Sequence, residues 1–200
     1  MGFITAASII LSTQTQPKLN VAVKQTSPVS QQSEDRIEEI WDHVDNRVIR
    51  QMDVWFDNGD FPQVESVLQV QYAYSPDDYE TATNLGWMLE NLDRKPEARA
   101  VYVDYGKNHP NDGDAIFPLG FSYYMAKDYQ KTVETLEPSL KLNPRPNTYR
   151  MLAKSYERLK KYSDAIRVWE LQIKRWPDDL AAIANISRVK KKLQEGAKAK

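Results

Sequence analysis

Two hundred residues with 41% hydrophobic content can bury a sizeable core, which excludes a wholly disordered chain and fits one domain or one short repeat array with a tail. A formal net charge of −1 removes the broad basic surface expected of a general nucleic-acid binder. The absence of cysteine excludes disulfide scaffolds, thiolate metal sites and cysteine nucleophiles, and leaves the redox compartment undecided.

At the start of the chain, residues 3–11 form an apolar run with the length of a signal-peptide core, well short of the roughly 20 residues of a membrane-spanning helix. No Lys or Arg precedes Lys18, and no A-x-A-like cleavage site follows the run. Gly2 lacks the lipidation pattern, because Ala6 stands where Ser or Thr is required. Residues 12–34 are rich in Ser, Thr, Gln and Pro, the composition of a tether. Residues 1–34 are therefore expected to be a flexible leader. Export to the periplasm, the cell envelope or the medium is the first expectation for it, and a cytoplasmic chain with an unfolded leader is the alternative.

Helical patterning begins next. Over residues 35–57, Ile37, Ile40, Trp41, Val44, Val48, Met52 and Trp55 recur at three- and four-residue steps and predict a long amphipathic helix. Asn58-Gly59-Asp60 breaks it, and Pro62 and Pro96 suit the first turns of later helices. Asp77-Asp78, Asp112 and Asp178-Asp179 stand where N-caps are needed after proline turns. Pro118 falls in the opening turns of its helix, whereas Pro138 falls inside one, removes a backbone bond and predicts a kink. Residues 180–193 predict a last helix, with Leu180, Ile183, Ala184, Ile186, Val189 and Leu193 on one side and Lys190-Lys191-Lys192 on the other.

These helices repeat. Tyr74-Ser75-Pro76-Asp77, Asn108-His109-Pro110-Asn111, Leu142-Asn143-Pro144-Arg145 and Arg175-Trp176-Pro177-Asp178 close successive segments, and subtracting the proline positions gives steps of 34, 34 and 33. Between the prolines, Leu85-Gly86-Trp87, Leu119-Gly120-Phe121 and Leu152-Ala153-Lys154 place a small residue after Leu. Ala98 with Tyr102, Thr132 with Leu136 and Ala165 with Trp169 then set a small residue four before a large one on the same helix face. The first unit is looser, with Met52, Trp55, Val64 and Leu68 at the matching sites. Residues 45–194 thus resemble the tetratricopeptide-repeat (TPR) family, whose signature of about 34 residues runs W-x2-L-G-x2-Y, Ala, aromatic, Pro. The resemblance implies an all-α solenoid of about four helix-turn-helix repeats (about 45–78, 79–112, 113–145 and 146–179), a capping helix at 180–194 and a basic tail at 195–200. It also implies that the first helix of each pair lines a concave groove that receives a peptide or a partner helix.

Turning each first helix away from its Leu-Gly packing side leaves a groove-facing set. In the second unit this set includes Asn84, Trp87 and Asn91, beside Glu80 and Thr83. The third contributes Phe117, Phe121 and Tyr124, beside Met125, and the fourth Arg150, Lys154 and Arg158, beside Asn147. Each of these residues could equally pack against neighbouring helices. An aromatic centre with a basic flank suits a protein or peptide carrying apolar anchors and an acidic portion. One TPR mode grips a partner's C-terminal carboxylate through Lys, Asn and Arg at set positions. Here Asn84 matches its middle Asn, but Ile49, Asp53, Asp114 and Pro118 occupy the other sites, so that mode is not expected.

Charge is uneven along the chain, at −6 over residues 34–60 and +5 over 188–200, which describes either solvated helix faces or ends able to associate. Catalysis is not expected: His43 and His109 are the only histidines and have no evident partners, the Asp pairs fall at capping positions, and no Gly-rich phosphate loop exists. The reading is thus a non-catalytic adaptor with no cofactor, metal or nucleic-acid partner. Its alternative is a structural subunit of a homo-oligomer or larger assembly.

Overall fold

The computed structural model describes residues 28–198, so the expectations for the apolar run and the tether up to residue 27 lie outside the described residues. It divides into two compact units, Met1–Val48 and Ile49–Lys200. In the first, the described part is the opening of helix α1 (Pro28–Asn58), where Ile40 and Val44 are exposed. The helix starts well upstream of residue 35, inside the stretch read as leader. Pro28 supplies a first-turn φ, and the Ser, Gln and Glu residues that follow tolerate a helix while carrying no apolar period to betray it.

The second unit starts with residues 49–58 of α1 and continues through α2 (Phe61–Tyr74), α3 (Tyr79–Asn91), α4 (Lys95–Asn108), α5 (Phe117–Met125) and α6 (Tyr129–Leu136). A 3₁₀ segment (Glu137–Leu142), α7 (Pro146–Arg158), α8 (Tyr162–Arg175) and α9 (Leu180–Lys198) complete it. Consecutive helices from α2 to α9 pack against one another, and α5 also touches α7. All described elements are helical.

The small-and-large pattern accounts for the pairing. A Cβ built on Gly86 would stand 2.1 Å from Tyr102 Cε1, and one on Gly120 would stand 2.4 Å from Leu136 Cδ2. Glycine at these two sites is what lets the partner side chain seat against the helix backbone. Ala153 fills the equivalent site in the next pair and shares a core cluster with Trp169, both buried. Truncating such buried large side chains costs about 3–5 kcal/mol for aromatics and about 2–5 kcal/mol for Leu.

Turns between paired helices share a backbone device. Gly59, Asp93, Lys127 and Lys160 all have φ between 59° and 78°, the left-handed region, and their positions differ by 34, 34 and 33, like those of the closing prolines. Only the first is glycine; each of the others holds a conformation that disfavours a side chain.

Two of the expected caps form as such. Asp78 accepts from Thr81 N at 2.9 Å, and Asp179 Oδ1 accepts from Ala182 N at 3.0 Å. Asp112 does not cap α5: its Oδ1 accepts from Asp114 N at 2.9 Å and closes a turn, and the helix starts only at Phe117. The delay follows from Asp114, which leaves the helical path to accept from Arg145 N and Nε at 2.9 and 3.0 Å. Pro138 acts as expected, for α6 stops at Leu136 and the chain continues as 3₁₀. The last helix buries Ala182 and Val189 but leaves Leu180, Ile183 and Leu193 exposed, and it runs to Lys198, into the stretch read as tail. Ala197 and the Lys residues are strong helix formers, and Gly196 alone does not end the helix.

Ion pairs tie successive repeats. Glu65 meets Arg94 at 3.2 Å, Glu137 meets Arg167 at 2.6 Å and accepts from Tyr156 Oη, and Glu157 meets Arg188 at 2.6 Å.

Candidate partner-binding face

Each first helix commits one side to its partner and leaves the other available. In α3, Ala82, Leu85, Gly86, Met88 and Leu89 are buried, whereas Asn84, Trp87 and Asn91 are exposed. In α5, Leu119, Gly120 and Ser122 are buried, Phe117 and Tyr124 are half-buried, and Phe121 is exposed. In α7, Lys154 and Arg158 are exposed and Arg150 is half-buried. None of the nine side chains projected from sequence lies in the core.

Their surroundings differ. Trp87 remains 47% exposed while stacking on Phe56 at 5.8 Å between centroids, and Phe56 meets Phe61 edge-on at 5.4 Å. Asn91 donates from Nδ2 to the Trp87 carbonyl at 2.8 Å, which uses part of its amide at the helix end. Phe117 and Phe121 stack at 6.3 Å, and Phe121 keeps 40% exposure. Tyr124 meets Tyr129 edge-on at 5.5 Å, and the Arg158 guanidinium lies 5.9 Å from the Tyr129 ring centre. Tyr129 thereby links the aromatic centre to the basic flank.

Arg150 is otherwise engaged. It pairs with Asp179 at 2.7 Å, and the same carboxylate oxygen accepts from Gln172 Nε2 at 2.7 Å. The hydrogen bond from Arg150, the Ala182 amide and Gln172 together hold the Asp179 carboxyl below its ordinary range despite the opposing effect of burial. Glu157 is likewise held low: burial pushes it up, and Arg188 and Lys192 together outweigh that. These pairs join repeats and leave less of Arg150 for a ligand.

Two contributors escaped the sequence reading, Phe56 and Tyr129. Carrying the repeat period back into the looser first unit aligns Phe56 with Glu90 and Tyr124, and that extension would have found it. Tyr129 belongs to a second helix, and only packing brings its ring to the Tyr124 edge.

Antiparallel helix pairs that close with glycine-backed large side chains, and that recur at a period of about 34 residues, define the tetratricopeptide-repeat fold. This chain has it. Among solved structures it is similar to MamA, at 19% identity over 72% of this chain and 84% of that one, with a TM-score of 0.57. It is similar to a second MamA structure, from AMB-1, at 18% identity over 78% and 87% of the two chains, with a TM-score of 0.53. A thermophilic TPR protein of Thermus thermophilus, TTC0263, matches at 16% identity over 69% and 77%, with a TM-score of 0.53. At these identities the likeness speaks for the fold. No protein-family model and no curated protein matches the sequence. Among the described residues, no helix is long and apolar enough to cross a membrane.

Proposed function

We propose that the chain is a non-catalytic binding module whose first-helix face, the concave side of a TPR array, receives an extended segment of another protein. The observation that carries this reading is the exposure of Trp87 and Phe121 on rings already held by neighbours, Phe56 for one and Phe117 for the other. Aromatic anchors fixed before binding lose little rotamer freedom and dominate interface energetics. The basic side chains Lys154 and Arg158 follow on the next repeat, so a partner with apolar side chains and an acidic portion fits the face.

The alternative, a structural subunit joined through its charged ends, draws less support. Arg188 and Lys192 are engaged by Glu157, and Lys190 is engaged by Glu170.

A binding screen with apolar-acidic peptides tests the proposal. Trp87→Ala and Phe121→Ala are expected to weaken a captured peptide about 30-fold each, the size of a hot-spot loss of about 2 kcal/mol. Val70→Ala, on exposed α2 surface, leaves binding unchanged. Undiminished binding by both aromatic variants, with their helical circular dichroism intact, refutes the groove reading.

A further inference from the structure

We infer that the partner segment is charged at both ends and lies in one fixed orientation, its basic end over α1 and its acidic end over α7. This rests on the groove reading above and specifies the chemistry of its ligand.

The repeat period sets equivalent positions of the first helices side by side. At the spacing of the closing prolines, one row reads Asp53, Trp87, Phe121, Lys154, and the row one turn further reads Asp57, Asn91, Met125, Arg158. All eight side chains are exposed. Both rows run from carboxylate, through apolar or amide groups, to cation. A single aromatic at one position would be ordinary surface. Two adjacent rows with the same order of chemistry make a graded surface.

The end charges are spare. Among the described residues, Asp53, Asp57, Lys154 and Arg158 enter no ion pair, in contrast with Glu157, Asp179, Arg150 and Arg188 close by, all of which do. The Arg158 contact with Tyr129 is to a ring face and leaves the guanidinium donors available. On α9, Lys191 lies one repeat period beyond Arg158, is exposed and has a long 4.0 Å pairing with Glu195, so it prolongs the cationic end. The fold therefore uses charges between repeats for cohesion and leaves a separate set of opposite signs at the two ends of the aromatic stretch.

Stacked helices at the usual separation of about 8–10 Å put α1 and α7, three first-helix steps apart, roughly 30 Å from one another. An extended chain rising about 3.3 Å per residue covers that in about nine residues. A segment with Lys or Arg at one end, two or three large apolar side chains in the middle and Asp or Glu at the other meets every element of the two rows. A segment acidic throughout meets repulsion at Asp53 and Asp57, and a uniformly basic one meets it at Lys154 and Arg158.

Fluorescently labelled peptides of about twelve residues test this. One set carries Lys-Arg-Lys at one end, a Leu/Trp/Phe core and Glu-Asp-Glu at the other, synthesised in both chain directions; comparison sets carry the same core with neutral Ser/Gln ends or with acidic ends on both sides. By anisotropy at low salt, the better of the two bipolar directions is expected to bind at least about tenfold tighter than the neutral-ended core, with the advantage shrinking as added salt shortens the screening length towards about 8 Å. Lys154→Glu, alone and with Arg158→Glu, is expected to remove the advantage of the acidic end. A peptide whose acidic end is replaced by Lys-Arg-Lys is then expected to recover binding to that variant.

Equal affinity of all peptides for the native chain, with Trp87→Ala still weakening every one, overturns the charge inference and leaves the groove reading intact. Insensitivity of every peptide to Trp87→Ala and Phe121→Ala overturns the groove reading itself. Sedimentation of the native chain as a salt-dissociable oligomer that the bipolar peptide breaks into monomers overturns the inference in another way, because the occupant is then a second copy.

Discussion

Substituting Gly86 with alanine adds one methyl group where α3 and α4 leave no room for it. The new Cβ would lie 2.1 Å from Cε1, 2.4 Å from Cζ and 2.7 Å from the hydroxyl of Tyr102, a rigid ring that is itself buried. Relief needs a shift of more than about 1 Å, by the ring or by the spacing of α3 and α4, and overpacking of that kind costs about 1–3 kcal/mol. Against this stands the better helix propensity of alanine over glycine, worth about 1 kcal/mol. With the clash at the upper end of its range, the net loss is about 2 kcal/mol, or about 4–8 °C in melting temperature for a chain of this size. Urea unfolding followed by circular dichroism measures it. Adding Tyr102→Ala, which removes the ring that the new methyl group meets, is expected to couple favourably with Gly86→Ala by at least about 1 kcal/mol. A Gly86→Ala variant as stable as the native chain, with no coupling to position 102, would refute the argument that close helix approach at this site sets the repeat.

Other positions give further outcomes. Lys127→Gly places glycine where φ is 62° and is expected to stabilise the chain by about 1 kcal/mol; a loss in thermal unfolding would contradict the strain argument. Asp78→Ala removes the cap on α3 and is expected to cost about 1 kcal/mol in the same assay, more than Asp112→Ala, which opens only a turn. Glu157 is held below its ordinary value of 4.5 by Arg188 and Lys192, so the stability it contributes is present above about pH 4.5 and is lost as pH falls through the lowered value. Glu157→Gln is expected to flatten that part of the pH–stability curve, and an unchanged curve would contradict the pairing.

Proline spacing and the small-and-large pairs place the second, third and fourth helix pairs, because the residues that repeat are those whose size the packing dictates, whereas the looser first pair follows from apolar periodicity and the Asn58-Gly59-Asp60 break. The contacts of Gly86 with Tyr102 and of Gly120 with Leu136 join residues that the pattern marks separately, one as small and the other as large. Features carried by polar side chains were harder to read. Asp112 and Asp114 are both short carboxylates beside a predicted helix start, and only the position of Arg145 makes Asp114 an inter-repeat anchor that delays α5 to Phe117. The left-handed turns at Asp93, Lys127 and Lys160 left no compositional trace, since the residues there are not glycine. The upstream turns of α1 left none either, for want of an apolar period. At the candidate face, helical projection found exposed side chains on α3, α5 and α7, but it could not foresee that Asp179 engages Arg150 or that Phe56 backs Trp87.

The most direct test of the central claim is to titrate isotopically labelled protein with the bipolar peptide and map the chemical-shift changes. A peptide seated along the first helices perturbs a contiguous set at Trp87, Phe121, Met125 and Lys154, reaching Asp53 at one end. Perturbations confined to the second helices, α2, α4, α6 and α8, would contradict it.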